Sequence, residues 1–284
     1  MNTQNFRAKR IINGREFSIV SKRGEGHPLV LIHGGTPNHG AIAHGAHFWD
    51  SSFDWLAGRT VVAPDLAGFG ATPKIDADKP FTFQIECLRD IISSFGLERA
   101  HLVGYGSGGL VALLLAAEHP ELTSAVTCVA SVEAAPTGDG LEDLTLAYPP
   151  EPRWTHKSQK WALERLSYMN QLPLGVLESC VSAAKSQCYS DDESARSSAI
   201  RWSAALLAAK LALFKKLRES GIPRPVQLIW AADDCQTSIE QGAALYELIS
   251  AKQPNSHLHI INRAGSFPFH DQGRAFWSLV GSFK

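Results

Sequence analysis

A strand, a glycine-dense turn and a buried helix follow one another in residues 101–118. The apolar pair Leu102-Val103 enters the turn 104–109 (Gly-Tyr-Gly-Ser-Gly-Gly), and an unbroken run of Ala and Leu leaves it. Turns of this kind hold an attacking side chain at a strained tip, and the neighbours are small because the two backbones pass too close for side chains. The glycine spacing predicts that Gly106 occupies the tip. Glycine carries no nucleophile.

A second register of the same turn would put Ser107 at the tip. We favour the first register because Gly104, Gly108 and Gly109 then all fall where close packing requires a residue without a side chain. Ser107 then begins the helix, where a serine ordinarily satisfies a free backbone amide. Its own N–H can still help to stabilise an oxyanion.

Two carboxylates follow strand-like apolar runs later in the chain. Asp234, with Asp233 beside it, ends one run, and Glu133 follows another. Mutual repulsion and burial would raise the pKa of one of the pair Asp234 and Glu133, which suits general acid–base work. A solvated loop aspartate is an equally good interpretation of Asp234.

Three histidines, His39, His44 and His47, lie within nine residues of a Gly/Ala-rich loop. Imidazole titrates near neutral pH, so any of them could supply a base. A metal site is disfavoured, because no carboxylate lies at helical spacing and the loop is a poor background for rigid ligands. Solvated loop histidines are the ordinary explanation for any single one.

The composition describes a balanced globular chain of 284 residues, with a formal net charge of -1 and 44% hydrophobic residues. This length suits one large α/β domain with an insertion, and the charge gives no reason to expect nucleic acid. No stretch reaches the ~18 apolar residues of a membrane span, and the polar first ten residues lack a signal core. A cytoplasmic location is therefore expected. The five scattered cysteines, without C-x-x-C spacing, are expected to be free thiols.

Strand and helix patterns alternate in two blocks of the chain. Asn13-Gly14 predicts an opening hairpin at 10–20; further strands are predicted at 28–33, 60–65, 122–130, 226–231 and 257–261, and helices at 49–58, 81–95, 239–251 and 272–283. This alternation implies a mostly parallel sheet with helices on both faces. Helices alone are predicted at 154–169, 174–184 and 191–218. We predict a core domain at 1–138 and 222–284 and an inserted helical cap at 139–221.

These residues resemble the α/β-hydrolase fold over nearly the whole chain, and most of all the capped enzymes that cleave carbon–carbon bonds in meta-cleavage products of aromatic rings. His33-Gly34-Gly35 resembles the loop that supplies half of that family's oxyanion hole. Residues 65–70 (Asp-Leu-Ala-Gly-Phe-Gly) resemble its Asp-x-x-Gly-x-Gly turn. The resemblance implies an oxyanion hole made by the amide of Ser107 and that of Gly35 or its neighbour.

The resemblance also implies a triad in the chain order nucleophile, acid, histidine. Asp234 falls at the acid position, Gly106 at the nucleophile position and Ser266 at the histidine position, so the triad is predicted to be degenerate. His270, four residues after Ser266, is expected to begin the final helix. Without an attacking oxygen or a proton shuttle, the acyl-enzyme route is predicted to be closed.

Three functions follow from this pattern. The first is a non-hydrolytic, cofactor-free acid–base enzyme, such as a lyase, cyclase or isomerase, acting on a small hydrophobic molecule that carries a carbonyl or phenol. The second is a carbon–carbon or ester hydrolase that uses Ser107 or an activated water. The third is a catalytically inactive ligand binder. The expected partner is a small-molecule substrate, with neither nucleic acid nor membrane, and a homodimer stays open.

The candidate residues come from the turn, the loops and the strand ends discussed above. The candidate catalytic residues are Asp234, Ser107, Ser266, Glu133 and His39, and the candidate oxyanion and substrate-binding residues are Gly34, Gly35, Tyr105, Gly106, His44, His47 and His270. No metal ligand and no cofactor is predicted.

Overall fold

A single eight-stranded sheet organises the protein, seen in a computed structural model that describes residues 6–37, 40–73, 79–136, 146, 148–172, 175–185 and 193–283. Its strands are β1 (Arg7–Ile12), β2 (Arg15–Lys22), β3 (Gly26–Ile32), β4 (Arg59–Pro64), β5 (Ala100–Tyr105), β6 (Thr123–Val129), β7 (Val226–Ala231) and β8 (Ser256–Ile261). They lie in the order β1-β2-β4-β3-β5-β6-β7-β8. The pairs β1/β2 and β2/β4 are antiparallel and the other neighbours are parallel, which confirms the predicted, mostly parallel sheet.

The first two strands form the hairpin that the Asn-Gly dipeptide predicts. Asn13 and Gly14 both have positive φ, 49° and 76°, as a tight two-residue turn between twisted strands requires. Ile12 pairs with Arg15 directly across this turn.

Helices cover both faces of the sheet. They are α1 (Pro80–Ser94), α2 (Ser107–Glu118), α3 (His156–Leu166), α4 (Val176–Ala184), α5 (Glu193–Glu219), α6 (Ile239–Ser250), α7 (Pro268–Asp271) and α8 (Gly273–Ser282), with 3-10 turns at Ala46–Asp54, Pro120–Leu122 and Tyr168–Asn170. The predicted helix at 49–58 is thus a 3-10 segment, closed by bonds such as Trp55 N to Ser52 O. His270 lies in α7, which is separated from α8 by the non-helical backbone of Gln272.

The central strands are buried on both sides, so the sheet carries two cores. Leu102 and Leu228 pack with α1, α2 and α6, whereas their neighbours Val103 and Ile229 pack with α3, α4 and α8. Consecutive side chains of a strand point to opposite faces, and a continuous apolar run therefore fills both cores. The apolar strands found in the sequence have this physical origin.

Helices α3, α4 and α5 lie between β6 and β7, in the segment predicted to form the cap. Helix α5 packs on α1, α2 and α6, and α4 packs on the 3-10 segment Ala46–Asp54. The cap boundaries at 139 and 221 remain a prediction. Among the described residues, every helix is too short or too polar to cross a lipid bilayer.

A buried ion pair ties the first strand to two loops of the core. Arg7 Nη1 lies 2.8 Å from Asp65 Oδ2, and the Asp65 side chain is 1% exposed. The carboxylate also accepts from the amides of Ala46 and Ala71, at 2.7 and 3.0 Å. Burial by itself would raise the pKa of Asp65, but the Arg7 guanidinium, the His33 ring and these amides together hold the pKa below its usual range.

We expect Asp65→Asn to lower the free energy of unfolding at pH 7 by about 3–5 kcal/mol, since it leaves Arg7 without its buried partner. Because the folded-state pKa is depressed, the contribution is present above the unfolded pKa of ~3.9 and is lost as pH falls through the folded value. Urea unfolding at several pH values measures this. Glu16→Gln, which breaks the exposed Lys9–Glu16 pair, should change stability by less than about 1 kcal/mol. Equal effects of the two variants would contradict the prediction.

Candidate active site

The glycine-rich turn joins β5 to α2 with Gly106 at its tip. Gly106 has φ 54° and ψ −128°, a backbone region that residues with a side chain adopt only under strain. A side chain at Gly104 would collide with the Gly108 carbonyl, and one at Gly108 would collide with the backbone of His33. The flanking glycines are therefore required by close packing, as the favoured register predicts.

A carboxylate faces the position where a side chain at the tip would begin. A Cβ built on Gly106 would lie 3.8 Å from both Oε1 and Oε2 of Glu133, and 3.6 Å from the Gly34 Cα. All of these are ordinary contact distances, so space for a small group exists between the tip and Glu133. The parallel pairing of Tyr105 with Val129 explains the approach, because it brings the ends of β5 and β6 to the same edge of the sheet.

Glu133 is an acid held close to its titration point at neutral pH. The residue retains some exposure to the cavity it lines, but its Oε2 is sealed from solvent and has no hydrogen-bond partner among the described residues. Burial raises the pKa of Glu133 to about 7, with a further upward contribution from Asp234 and an opposing one from Lys210. A group with this pKa can both accept and return a proton near pH 7.

Asp234 and Ser266 form a hydrogen-bonded pair where the resemblance implies an acid and a histidine. Ser266 Oγ donates to Asp234 Oδ1 over 2.5 Å, and the Gln236 amide donates to the same oxygen over 2.9 Å. Burial raises the pKa of Asp234, while the Ser266 hydroxyl acts in the opposite direction. A serine hydroxyl cannot carry a proton away at neutral pH as an imidazole does, so this pair can orient groups but lacks a proton shuttle.

The Ser107 side chain is hydrogen-bonded to the loop 33–35, in which the resemblance implies half of an oxyanion hole. Its Oγ donates to the Gly35 carbonyl over 2.8 Å, and no histidine among the described residues gives it the imidazole partner that an activated serine needs. Gly35 has φ 108°, and a Cβ there would come within 2.6 Å of the His44 ring. The Ser107 amide belongs to the first turn of α2, where N–H groups have no intrahelical acceptor.

We expect Ser107→Ala to lower stability by about 1 kcal/mol, and we expect neither this variant nor the wild type to be labelled by a fluorophosphonate. The lost bond is the brace to Gly35, so kcat/KM should fall by about 10-fold as the loop loosens. Intact-mass spectra and urea unfolding measure these effects. Ser94→Ala, which removes an exposed hydroxyl bonded to the Ile91 carbonyl, is the matched control. A fluorophosphonate adduct on Ser107 of the wild type would overturn this assignment.

His33 fixes the start of the same loop. Its Nε2 accepts from the Leu66 amide over 2.9 Å, and its Nδ1 lies 2.8 Å from the Gly34 carbonyl. Gly34 in turn packs so closely that a Cβ would lie 2.7 Å from the Tyr105 carbonyl. Gly34 therefore belongs to the support of the loop.

Of the other predicted histidines, His44 lines the cavity above Gly106. Its ring stacks on Phe48, and burial lowers its pKa to about 3, with His33 and His47 adding to this effect. Since His44 stays neutral at pH 7, it is a weak base there. His39 lies outside the described residues.

His47 and His270 lie away from the cavity above Gly106, so their predicted role in substrate binding needs correction. His47 Nε2 is 3.4 Å from the Cys180 Sγ of α4, and His270 Nδ1 is 3.0 Å from Ser51 Oγ. Burial lowers both pKa values to about 3. Their position in the chain is close to the site, but His47 lines a separate cavity beside Arg7 and Asp65, and the His270 ring packs on Phe269.

A cavity of about 320 Å³ lies above the turn, large enough for a small organic molecule. Its predicted lining residues are Gly35, His44, Tyr105, Gly106 and Glu133, and the prediction missed Thr36, Ile42, Val132, Leu166, Ser203, Leu206, Gln236 and Thr237, among others. Gln236 and Thr237 could have been expected because they directly follow Asp234. Ser203 and Leu206 come from α5, whose approach to the core has no local signal in the sequence. Burial, and next the charges of Asp234 and Glu133, raise the Tyr105 pKa, so its hydroxyl keeps its proton.

No three metal-ligating side chains converge anywhere in the described ranges. The polar groups in and around the cavity include carboxylates, hydroxyls, the His44 imidazole and backbone amides. They suit proton transfer and the stabilisation of a developing oxyanion.

A parallel sheet whose central strand turns sharply into a helix beneath such a cavity defines the α/β-hydrolase class. The chain belongs to the alpha/beta hydrolase family, whose family model matches residues 29–279. The 2-hydroxymuconate semialdehyde hydrolase of Pseudomonas sp. strain CF600 is 25% identical over 92% of this chain and 87% of its own length. The 2-hydroxy-6-oxo-2,4-heptadienoate hydrolase of Pseudomonas putida is 25% identical over 92% of this chain and 90% of its own.

Solved structures give the same result for the fold. The 2-hydroxy-6-oxo-6-phenylhexa-2,4-dienoate hydrolase of Rhodococcus sp. strain RHA1 superposes with a TM-score of 0.73, 21% identity and 96% coverage of both chains. The predicted fold class and the predicted likeness to meta-cleavage product hydrolases are therefore confirmed. These relatives are enzymes and hydrolases by name, and they favour the hydrolase among the predicted functions.

Proposed function

We propose that this protein is a hydrolase in which a water molecule, activated by Glu133, attacks a bound carbonyl group above Gly106. One observation carries the proposal: both Glu133 carboxylate oxygens lie 3.8 Å from the place where a side chain at Gly106 would begin. In a serine hydrolase the attacking oxygen starts from that side chain. Here the tip residue has no side chain, and the Glu133 carboxylate borders the space that a side chain would fill.

The reaction balances with one water and one proton relay. Glu133 removes a proton as the water oxygen bonds to the carbonyl carbon, and the carbonyl oxygen becomes an oxyanion. The amides of Ser107 and of Gly35 or its neighbour stabilise that charge. When the intermediate collapses, the bond to the leaving carbon or oxygen breaks, and Glu133 returns its proton to the leaving group. The products are a carboxylic acid and a protonated fragment.

The substrate class follows from the cavity and from the relatives. Aliphatic side chains, among them Ile42, Val132, Leu166 and Leu206, form much of the wall and suit a small, mostly apolar molecule. The names of the relatives describe compounds with carbonyl groups. The proposed substrate is therefore an ester of modest size, or a ketone such as a vinylogous diketone whose leaving carbon is stabilised as an enolate. The cap at 139–221, which supplies α5 and its Leu206 to this wall, is part of the same proposal.

The non-hydrolytic lyase, cyclase or isomerase expected from the sequence shares this base but has no support from the relatives reported above. The degenerate triad, with Gly106 and Ser266 in place of nucleophile and histidine, remains part of the proposal. It is what makes direct attack by water necessary in a hydrolase of this kind.

Turnover in ¹⁸O-enriched water tests the proposed function. The purified protein is incubated with p-nitrophenyl esters and vinylogous diketones, and the products are analysed by mass spectrometry. We expect one ¹⁸O atom in the acid product, no fluorophosphonate adduct, and loss of activity in Gly106→Ala, whose methyl group would take the place of the water. Products without ¹⁸O would establish non-hydrolytic chemistry, and binding of these compounds without any product would establish a ligand binder. Either result overturns the proposal.

A further inference from the structure

A lysine from α5 is buried next to the proposed base. Lys210 is 9% exposed, although lysine is almost never buried without a partner. Its Nζ donates to the carbonyl of Val132 over 3.1 Å, one residue before Glu133 in the chain. The ammonium group of a helix between β6 and β7 therefore reaches the strand end that presents the base.

The other charged and titratable groups around Glu133 do not balance its negative charge. The groups that act on Glu133 or face the same cavity are Asp234 after β7, Tyr105 at the end of β5, Cys128 in β6, His44 in the loop after β3 and Lys210 in α5. Asp234 is an acid, and burial keeps His44, Tyr105 and Cys128 neutral near pH 7. Among the described residues, Lys210 is the cation that favours the ionised form of Glu133.

We propose that Lys210 is a positioning residue that favours the ionised form of Glu133, and hence its action as a base, when α5 is seated on the core. The inference rests on the proposed function and deepens it, because it names what sets the strength of the base. An opposite charge within about 6 Å lowers the pKa of a carboxyl by ~1–3 units. A helix that moves away takes this charge with it, and the base then holds its proton.

A purely structural role for Lys210 would have a different signature. If the ammonium served only to satisfy the Val132 carbonyl, its removal would lower stability without moving the titration of Glu133. The variants must therefore separate charge from packing. Lys210→Met keeps the length of the side chain, Lys210→Gln keeps a donor for Val132, and Lys210→Arg keeps the charge. Lys215→Met removes an exposed charge from the same helix and is the matched control.

The titration of Glu133 is measured directly by NMR on protein carrying ¹³C-labelled glutamate carboxyl groups, with Glu133→Gln identifying the signal. We expect Lys210→Met and Lys210→Gln to raise the Glu133 pKa by about one unit or more, Lys210→Arg to restore it, and Lys215→Met to leave it in place. The acid limb of kcat/KM should shift by the same amount. At pH 6 this is a loss of about 10-fold that disappears near pH 9.

The inference is overturned if the Glu133 pKa is the same in the wild type as in Lys210→Gln or Lys210→Met. This readout needs no turnover, so it stands apart from the proposed function. If Glu133→Gln keeps full activity, the proposed function is wrong, even if Lys210 does lower the Glu133 pKa. If Glu133→Gln is inactive but the Lys210 variants titrate like the wild type, the base is correct and the role of Lys210 is wrong.

Discussion

Replacing Glu133 with glutamine is expected to lower kcat/KM by about 10²–10⁴-fold, the range by which a positioned general base accelerates a reaction. Glutamine keeps the shape of the side chain beside Gly106 but cannot accept a proton from water. Because burial raises the Glu133 pKa to about 7, wild-type activity should rise through that pH as one proton is lost. Steady-state kinetics between about pH 5 and pH 9 measure both effects.

Two further variants sharpen this prediction. Glu133→Asp keeps the acid but withdraws it from the tip, so its activity should lie between those of the wild type and Glu133→Gln. Glu247→Gln changes an exposed glutamate of α6 and should leave the kinetics unchanged. Wild-type activity in Glu133→Gln would show that the base is elsewhere.

The same substitution has a second expected result, on stability. The folded protein holds the Glu133 proton more tightly than the unfolded chain, where the glutamate pKa is ~4.3. Stability contributed by this group is therefore complete at low pH and is lost as pH rises from the unfolded value through about 7. Glu133→Gln should exceed the wild type in free energy of unfolding by about 3–4 kcal/mol at pH 8, and by little near pH 4. Urea unfolding at the two pH values measures the difference.

The double variant Gly106→Ser with Ser266→His is expected to create a serine nucleophile at position 106. A Cβ at position 106 meets nothing closer than 3.6 Å, so the hydroxyl fits at the tip. Position 266 already touches the acid, since Ser266 Oγ lies 2.5 Å from Asp234 Oδ1. Asp234 Oδ2 is buried and lacks a hydrogen-bond partner in the described part of the chain, so it can accept from an imidazole. Nucleophile, base and orienting acid would then stand in the required order.

Labelling by a fluorophosphonate measures the new nucleophile. We expect rapid, stoichiometric labelling at position 106 in the double variant, and labelling at least ~10²-fold slower in Gly106→Ser alone, which lacks the base. Gly106→Ala with Ser266→His introduces the same strain without a hydroxyl and should stay unlabelled. A folded double variant that reacts no faster than the single one would show that position 266 cannot deliver the imidazole to the tip.

The sequence revealed those parts of the fold and site that follow from local rules. β7 was predicted at its observed bounds, 226–231, because a nearly continuous apolar run, here interrupted only by Gln227, is typical of a strand that is buried on both faces. The tip at Gly106 was predicted because the neighbouring positions must be glycine: a side chain there would collide with nearby backbone atoms. Both signals are contained in a few consecutive residues.

What the sequence did not reveal depends on the direction of side chains and on distant packing. His47 and His270 lie close to the site in the chain, yet their rings contact Cys180 and Ser51 away from the cavity, and no local pattern records that direction. In the sequence, Lys210 occupies what looks like an ordinary polar position of an amphipathic helix. Its role depends on how α5 packs against the turn that follows β6, where its bonding partner Val132 is 78 residues away from it in the chain.

The bare tip also changes the energy balance of the whole molecule. A residue with a side chain held at φ 54° and ψ −128° costs of order 1–3 kcal/mol in conformational strain, and glycine adopts this geometry freely. The strain energy that glycine avoids is comparable in size with the free-energy cost of ionising the buried Glu133 carboxylate beside it. Under the proposed mechanism, the strain that is avoided at the tip offsets part of the cost of ionising the buried base beside it, so that mechanism is compatible with a stable fold.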